Sequence, residues 1–203
     1  LASKITGVAE EDIIKAARLY AKAEKAMIIY SLGITEHITG TANVMSIGNL
    51  AMLTGNVARR STGVMPLRGQ DIVQGACDMG ARPNAYVGYQ PATDPNIKSK
   101  FEQAWKVKLP ATPGQTSTQM LENVGEGGIR GLYILGEDPA QTDPDTNRVQ
   151  ASLKALDFLV VQEIFPTETT NYADVILPGA SFAECDGTFT NGERRIQRVR
   201  KAI

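Results

Sequence analysis

Apolar residues in the first quarter of the chain recur with the period of a helix, then as a short continuous run. The helical pattern covers residues 9–24, where acidic residues in the first turn favour the positive end of the helix dipole. Residues 26–30 form the apolar run, whose length and flanking turn residues predict a buried parallel strand. Residues 41–54 return to the helical pattern, and residues 31–37 form the loop between this strand and helix. The first part of the chain therefore predicts one strand between two helices.

The second half of the chain alternates strand and helix patterns more regularly. Strand patterns occupy residues 131–135, 157–161 and 173–177, with a helix over 145–156 and a shorter helix before the third strand. This alternation implies a parallel sheet with helices on its faces. We therefore expect an α/β fold of three αβα layers around a mostly parallel, Rossmann-like sheet. After Pro178 the chain becomes rich in glycine and charge, and residues 188–200 predict a turn with room for one strand.

Residues 64–91 show neither a helical nor a strand period. With their flanks they form a connection of about 38 residues before a helix that begins at Asp94-Pro95, whereas most connections take only about 4–6 residues. The stretch lacks the composition of a disordered tract, so we expect an ordered loop that lines a site. Arg68 is its most informative residue, because a guanidinium can bind a carboxylate or phosphate through two parallel hydrogen bonds. Alternatively, Arg68 ties the loop down by pairing with an acid such as Asp71 or Asp78.

Composition narrows the classes of protein that the chain can represent. The 203 residues carry a formal net charge of -1, which gives no electrostatic reason to expect nucleic acid as a partner. No apolar run approaches the roughly 18 residues of a membrane span, so we expect no direct membrane insertion. The chain begins with Leu1 rather than Met, and we expect it to be a piece of a longer protein.

The sequence is poor in residues that bind metals or act as nucleophiles. Cys77 and Cys185 are the only cysteines and form no C-x-x-C motif, which excludes a classical zinc or iron–sulfur site built within this segment. We expect two buried free thiols, although a disulfide between them is also compatible with the sequence. His37 is the only histidine, and nothing near it resembles the turn that carries a nucleophilic serine. We expect it to be a satisfied polar residue near the base of its loop.

Ligands of open parallel sheets bind outside the carboxyl ends of the strands, so the loops that leave those ends are candidate sites. The predicted loops of this kind are residues 31–37, 136–142 and 162–167. Neither G-x-G-x-x-G nor G-x-x-x-x-G-K-[ST] follows any of the three strands. Their absence argues against a standard NAD site or a P-loop, but permits a nucleotide that is held through its base and sugar.

The loop 136–142 carries the most informative residues of the three. Gly136 allows a ligand or another backbone segment to approach closely. Glu137 and Asp138 add hydrogen-bond acceptors, and Thr142 adds a hydroxyl. The alternative is structural, because an aspartate before a proline is also an ordinary helix start. The residues alone leave both interpretations open.

Several short motifs resemble one known family. They are Leu67-Arg68-Gly69-Gln70, then Val73-Gln74-Gly75-Ala76-Cys77-Asp78-Met79-Gly80, then Pro83-Asn84 and Gly88-Tyr89-Gln90. These motifs closely resemble the catalytic alpha subunit of molybdenum- or tungsten-dependent formate dehydrogenases, which belong to the molybdopterin oxidoreductase superfamily. The resemblance extends over essentially all 203 residues, but covers only a middle portion of the longer subunit of that family.

The resemblance implies a bis(molybdopterin guanine dinucleotide) cofactor with Mo or W, held between two related α/β domains. Formate would be oxidised to carbon dioxide, and electrons would leave through a 4Fe-4S cluster elsewhere in the parent subunit. Formate, the remaining domains of the same subunit and iron–sulfur or NAD-linked electron-transfer subunits are the implied partners. The cluster motif, the Cys-His or selenocysteine-His pair and the C-terminal domain of the family are absent from this sequence, so we expect the chain alone to be inactive.

The same resemblance assigns roles to individual positions. It implies that residues 1–180 form the α/β domain that binds one molybdopterin guanine dinucleotide, and that residues 181–203 begin the return to a neighbouring domain. Arg68 matches the active-site arginine of the family, which would orient formate. The positions implied for cofactor binding are Gly33, Gln70, Gly136, Glu137, Asp138, Thr142, Gln162 and Asp174.

Two other functions stay open. Another molybdopterin oxidoreductase, such as a nitrate reductase, would share the fold and the cofactor, although the motif Arg68-Gly69-Gln70 and residues 73–80 favour a formate enzyme. A non-catalytic nucleotide-binding or interaction module is the alternative from a different class. Formate and nitrate assays of the parent protein would separate the two enzymes, and a reading frame confined to this segment would favour the module.

Overall fold

The computed structural model describes residues 1–69, 73–125 and 128–203. The chain forms two units, residues 1–73 and residues 74–203. The described elements of the first unit are, in chain order, α1 (Ala2–Thr6), α2 (Glu10–Lys22), β1 (Met27–Tyr30), α3 (Leu32–Thr35), α4 (Gly40–Leu53) and β2 (Gly63–Pro66).

Strands β1 and β2 pair in parallel, with Met27 opposite Gly63 and Tyr30 opposite Pro66. Helix α4 is the crossover element between them, since it lies between the two strands in the sequence. A parallel pair needs such a crossover because the chain must return to the same edge before the second strand can start. The first unit is therefore a strand–helix–strand arrangement with two further helices before it.

A buried asparagine joins the turn after α4 to the start of β1. Asn56 is fully buried, its Oδ1 accepts the N–H of Ala26 at 3.0 Å, and its Nδ2 donates to Oγ1 of Thr54 at 3.1 Å. Across the same turn, Nη2 of Arg59 donates to the carbonyl oxygen of Glu24 at 3.1 Å. A buried amide is costly unless it is hydrogen-bonded, so these contacts fix the point at which β1 begins.

The remaining elements include the larger parallel sheet. They are α5 (Val73–Asp78), β3 (Ala85–Tyr86), β4 (Gln90–Pro91), α6 (Pro95–Trp105), α7 (Ser117–Glu122), β5 (Gly131–Leu135), α8 (Pro139–Thr142), α9 (Thr146–Lys154), β6 (Phe158–Glu163), β7 (Val175–Pro178), β8 (Gly187–Thr190) and β9 (Ile196–Val199). Single turns of 3-10 helix cover Val87–Tyr89, Thr169–Tyr172 and Phe182–Glu184.

Most of the periodic elements are confirmed to within a few residues. They are the helices predicted at 9–24, 41–54 and 145–156, the strands predicted at 26–30, 131–135 and 173–177, and the turn of helix before the third strand. The helix start at Asp94 is confirmed in detail, because its Oδ1 accepts the N–H groups of Asn96 and Ile97 at 2.8 and 3.4 Å. The loop predicted at 31–37 contains the single helical turn α3, and the loop predicted at 136–142 contains the helical turn α8; we keep the name loop 136–142 for the whole segment.

Three predictions about element boundaries are wrong. Residues 64–91 are not one loop, since they contain most of β2, then α5, β3 and β4, none of which is long enough to show a period. Strand β6 runs through Glu163, so residues 162–163 belong to the strand and not to its exit loop. Residues 188–200 contain strand residues of both β8 and β9, which pair antiparallel, where the sequence predicts room for one strand.

Strands β5, β6 and β7 form a parallel sheet with β6 in the middle. Leu135 lies opposite Gln162, which in turn lies opposite Leu177, so the carboxyl ends of all three strands meet at one edge. On one face of the sheet, Leu159 and Val161 are at most 1% exposed. They pack in a buried cluster with residues of α7, α8 and α9: Leu121, Ala140, Val149 and Leu153.

The opposite face of this sheet is open to solvent at several apolar positions. Tyr133, Leu135 and Phe158 are each more than half exposed. The α/β class with parallel strand pairing is confirmed by these elements. A third layer around one continuous Rossmann-like sheet stays a prediction.

The two cysteines form no disulfide with each other. Cys77 and Cys185 are free, which confirms that part of the prediction, but Cys185 is exposed rather than buried and Cys77 is only partly buried. Among the described residues, no helix is both long enough and apolar enough to cross a membrane.

We expect Leu159→Ala to lower the free energy of unfolding by about 2–5 kcal/mol, because it removes buried methyl groups and leaves a cavity. Leu135→Ala is the matched control, since Leu135 is 65% exposed on the opposite face of the same sheet. Its effect should stay below about 1 kcal/mol. Urea denaturation followed by the fluorescence of Trp105, the single tryptophan, measures both. Equal decreases in the free energy of unfolding for the two variants would show that burial on this face of the sheet is not what stabilises it.

Candidate functional site

Gly136 turns the chain away from the sheet at the carboxyl edge of β5. Its φ angle is 63°, in the left-handed region that glycine adopts without a steric cost. Its N–H donates to the carbonyl oxygen of Gln162 at 2.9 Å, so the turn starts on the neighbouring strand. A Cβ atom added here would meet no atom within 4 Å. The turn therefore borders open space.

Glu137 and Thr142 come together across the short helix α8. The hydroxyl of Thr142 lies 3.2 Å from Oε1 of Glu137 and 3.0 Å from the carbonyl oxygen of Asp138, and can donate to either. Both side chains are exposed on the loop. The structure thus places two of the predicted residues side by side at the surface of this edge.

Asp138 precedes Pro139 at the N-cap position of α8, but its side chain does not bond to that helix. Instead, Oδ1 of Asp138 accepts the N–H of Thr169 at 2.9 Å and the hydroxyl of Thr169 at 2.6 Å. The expected helix start is therefore present in position, while the carboxylate makes a tertiary contact. Thr169 carries no sequence signal that singles it out, since its contact is with a residue far away in the sequence.

Gln162 lies on β6 directly opposite Leu135, next to the start of the loop. Its side-chain oxygen accepts a hydrogen bond from the hydroxyl of Tyr133. Tyr133 lies on β5, two residues before Leu135 and therefore on the same face of the sheet. The structure therefore brings Gln162 to the same edge as Gly136. Tyr133 is a neighbour of the site that the sequence did not reveal, because its register with Gln162 depends on strand pairing.

Asp174 lies just before β7 begins, at the amino ends of the strands and so opposite the carboxyl edge that carries the loop 136–142. Its Oδ2 accepts the N–H of Leu159 at 2.7 Å, and its own N–H donates to the carbonyl oxygen of Leu159 at 2.9 Å. These bonds join the starts of β6 and β7. Asp174 is consequently not brought together with the loop 136–142.

In the first unit, Arg68 follows β2 at the carboxyl edge of the β1–β2 pair. The N–H of Leu67 donates to the carbonyl oxygen of Tyr30 at 2.8 Å, and the hydroxyl of Ser31 donates to the carbonyl oxygen of Leu67 at 2.9 Å. These two bonds fix the backbone immediately before Arg68, whose side chain is exposed. Gln70, the neighbouring predicted residue, lies outside the described residues.

Gly33 lies on the turn of helix that follows β1, so it shares this edge of the first unit. A Cβ atom at Gly69 would lie 3.4 Å from Cδ1 of Leu32, which shows that the chain after Arg68 passes close to this turn. The carbonyl oxygen of Gly33 is bonded to Nε2 of His37 at 2.9 Å. The prediction that His37 is a satisfied polar residue near the base of its loop is confirmed.

Asp78, one possible partner of Arg68, pairs with another arginine. Its Oδ1 lies 3.1 Å from Nη2 of Arg194 and accepts Nε2 of Gln74 at 3.0 Å. The same Gln74 nitrogen lies 3.1 Å from the hydroxyl oxygen of Tyr89. The contact joins α5 to the turn between β8 and β9. Asp71, the other acid considered for Arg68, lies outside the described residues.

Within the described ranges, no group of three or more His, Cys, Asp or Glu side chains could hold a metal ion. The chemistry that these residues offer is hydrogen bonding: acceptors and a hydroxyl on the loop 136–142, and a guanidinium on Arg68. Acceptors suit the N–H and O–H donors of a nucleotide, whereas a guanidinium suits a small anion.

The family model of molybdopterin oxidoreductases matches residues 12–203, and the chain belongs to the molybdopterin oxidoreductase family. Membership of this family implies a molybdopterin cofactor. The loop 136–142 fits part of such a group, because Gly136 borders open space and the acceptors of Glu137 and Thr142 are exposed beside it.

The chain is similar to the alpha subunits of formate dehydrogenases. The alpha subunit of the F420-dependent formate dehydrogenase of Methanocaldococcus jannaschii is 52% identical over 202 residues, which are 100% of this chain and 30% of that protein. Formate dehydrogenase H of Escherichia coli is 46% identical over 200 residues, which are 98% of this chain and 28% of that protein. The chain thus spans about 30% of the length of the curated relatives it matches.

A solved structure from work on the mechanism and regulation of Sir2 enzymes aligns with 84% of this chain and 93% of its own length. The sequence identity is 15% and the TM-score is 0.29, which is too low to indicate a shared fold. The family membership rests on the sequence match over residues 12–203.

We expect Gly136→Ala to lower the free energy of unfolding by roughly 1–2 kcal/mol, because alanine is strained in the left-handed region. Gly33→Ala is the matched control, since a Cβ atom at either glycine meets no atom within 4 Å and only Gly136 has a positive φ angle. Gly33 lies in a helical turn, where alanine is favoured by roughly 0.8–1 kcal/mol, so its replacement should be neutral or stabilising. Equal destabilisation in urea denaturation of both variants would contradict the backbone explanation.

Proposed function

We propose that this chain is the part of a formate dehydrogenase alpha subunit that binds one molybdopterin guanine dinucleotide and presents Arg68 to formate. The observation that carries the proposal is the 52% identity with a protein named as a formate dehydrogenase alpha subunit, over 100% of this chain. Because the match covers 30% of that relative, we assign the oxidation of formate to carbon dioxide to the complete protein. The chain alone would be inactive.

In this proposal, the loop 136–142 and the adjacent end of β6 hold the nucleotide. Gly136 leaves room for the ligand, because a Cβ atom there would point into open space. Side-chain oxygens that can accept the N–H and O–H donors of a base and a ribose come from Glu137, Asp138 and Gln162. The hydroxyl of Thr142 can either donate or accept a hydrogen bond. The convergence of these groups at the carboxyl edge of a parallel sheet supports the assignment.

Three further residues are assigned to the cofactor with different roles. Gly33 would let the cofactor approach the turn after β1, at the same edge as Arg68. Gln70 is proposed from its place in the motif beside Arg68. Asp174 would contribute indirectly, because its carboxylate already joins the starts of β6 and β7.

Arg68 would bind formate through its guanidinium group. Formate is a small anion with two equivalent oxygens, and the planar fork of an arginine can donate to both at once. Arginine also keeps its charge at every physiological pH, so binding of the anion would not depend on its titration. The exposure of Arg68 and the fixed backbone before it support this role.

A bound molybdenum or tungsten cofactor would supply the two-electron redox chemistry. The contribution of this chain would be to hold the nucleotide end of the cofactor and to orient the substrate. We further propose a 4Fe-4S cluster elsewhere in the alpha subunit, and iron–sulfur or NAD-linked subunits that carry the electrons away. The remaining domains of the same subunit would complete the cofactor site.

The proposal also extends to the architecture of the complete protein. Residues 1–180 would form one three-layer, Rossmann-like α/β domain, and residues 181–203 would begin the path to a neighbouring domain. The parallel pairing of β1 with β2, and of β5 with β6 and β7, supports this arrangement.

In the complete protein, we expect Arg68→Lys to lower formate turnover by about 100-fold, because the two-pronged geometry is lost while the charge is kept. The molybdenum or tungsten content should stay close to that of the wild type, since the nucleotide contacts are untouched. Formate-dependent reduction of an artificial electron acceptor measures the first quantity, and metal analysis the second.

Arg60→Lys is the matched control, because Arg60 is an exposed arginine of the same unit outside the motif. Its turnover should equal that of the wild type. Unchanged turnover in Arg68→Lys would remove the proposed role of Arg68, and turnover of nitrate instead of formate by the wild type would replace the substrate assignment.

A further inference from the structure

Thr169 is a fully buried polar residue that contacts the loop 136–142 at more than one point. Its hydroxyl donates to Oδ1 of Asp138 at 2.6 Å and accepts the N–H of Ala140 at 3.1 Å. Its own N–H donates to the same Oδ1 at 2.9 Å. One threonine is therefore hydrogen-bonded to both the carboxylate of Asp138 and the backbone of α8.

The position of Thr169 is itself well defined. It opens the turn of 3-10 helix Thr169–Tyr172, which follows β6, whereas Asp138 follows β5. Pro139 and Ala140 are buried beside it, so the contact lies beneath the loop rather than in solvent. A buried hydroxyl that both donates and accepts has its hydrogen-bonding capacity satisfied, which makes the arrangement stable.

This contact limits what Asp138 can do for a ligand. Oδ1 already accepts two donors from Thr169, whereas no described residue donates a hydrogen bond to Oδ2. A carboxylate held at one oxygen cannot rotate freely, so its second oxygen has a defined place. Orientation before binding removes an entropy cost that a mobile side chain would otherwise carry.

We propose that Thr169 is a positioning residue for the nucleotide, which acts by locking the carboxylate of Asp138 through Oδ1 and leaving Oδ2 for a ribose hydroxyl or a base N–H. This inference rests on the proposed function of the loop 136–142. Thr169 does not touch the nucleotide. Its hydroxyl instead sets the orientation of the group that does.

The test uses the complete alpha subunit, prepared without its cofactor, and GDP as the probe. Thr169→Val keeps the shape of the side chain but removes the hydroxyl, so Oδ1 of Asp138 keeps only the N–H of Thr169 as a partner. Because GDP must then order a less firmly held carboxylate, binding should weaken about tenfold. Thr169→Ser keeps the hydroxyl and should bind within about threefold of the wild type. Titration calorimetry measures the affinities, and hydrogen exchange of the Ala140 amide reports the loop.

Thr170→Val is the matched control for stability. Thr170 is also buried in the same turn, but its hydroxyl donates to the carbonyl oxygen of Thr167 at 2.6 Å and does not reach the loop. This variant should lose stability comparably to Thr169→Val, while GDP affinity and exchange of the Ala140 amide stay at the wild-type values. Such a pattern separates positioning of Asp138 from general weakening of the turn.

Three negative outcomes are distinguishable. If the wild-type chain binds GDP and Thr169→Val binds it equally well, the positioning role is wrong while the nucleotide assignment stands. If the complete wild-type subunit without its cofactor does not bind GDP, the assignment of the loop to a nucleotide fails, and the inference fails with it. If Thr170→Val weakens GDP binding as much as Thr169→Val, the effect is one of stability and the positioning role is likewise wrong.

Discussion

The burial of one face of β6 is the interaction on which the larger sheet depends. Leu159 and Val161 project from this strand into a cluster with α9, and both neighbouring strands pair with β6 along its length. Because parallel hydrogen bonds fix the register, the position of β6 determines where β5 and β7 end. The loop 136–142 begins one residue past the end of β5, on a hydrogen bond to β6. The geometry of the candidate site is therefore a consequence of a hydrophobic contact on one face of the sheet.

Local signals made the periodic parts of the chain predictable. Strand β5 and helix α9 were readable from apolar spacing, and Asp94 from its place before a proline, since each signal acts within a few residues. The same reasoning missed β2, which has four residues and is defined by its pairing with the distant strand β1. It also placed the end of β6 too early, because Gln162 and Glu163 are polar but remain paired with β7. Pairing partners decide such boundaries, and partners are not visible in local sequence.

The candidate site shows the same division between local and tertiary information. Gly136 and the acceptors after it could be predicted, because a glycine followed by polar residues at a strand end is a local pattern. The contacts that orient them could not, since Thr169 and Tyr133 reach them through the fold. Asp138 is instructive, because its N-cap position was correct while its carboxylate is used elsewhere. The type and position of a residue therefore predict where it lies in the fold more securely than they predict which group its side chain contacts.

The hydrogen-bond capacity of the loop constrains how a base could be recognised. Oδ1 of Asp138 accepts two donors from Thr169, and Oε1 of Glu137 lies within bonding distance of the hydroxyl of Thr142. Each carboxylate thus keeps one oxygen that accepts no bond from the described residues. A guanine edge presents two adjacent N–H donors, so these consecutive residues would satisfy it together more readily than either would alone. Selectivity would then depend on the spacing between two side chains, and that spacing is set by the internal contacts of the loop rather than by the ligand.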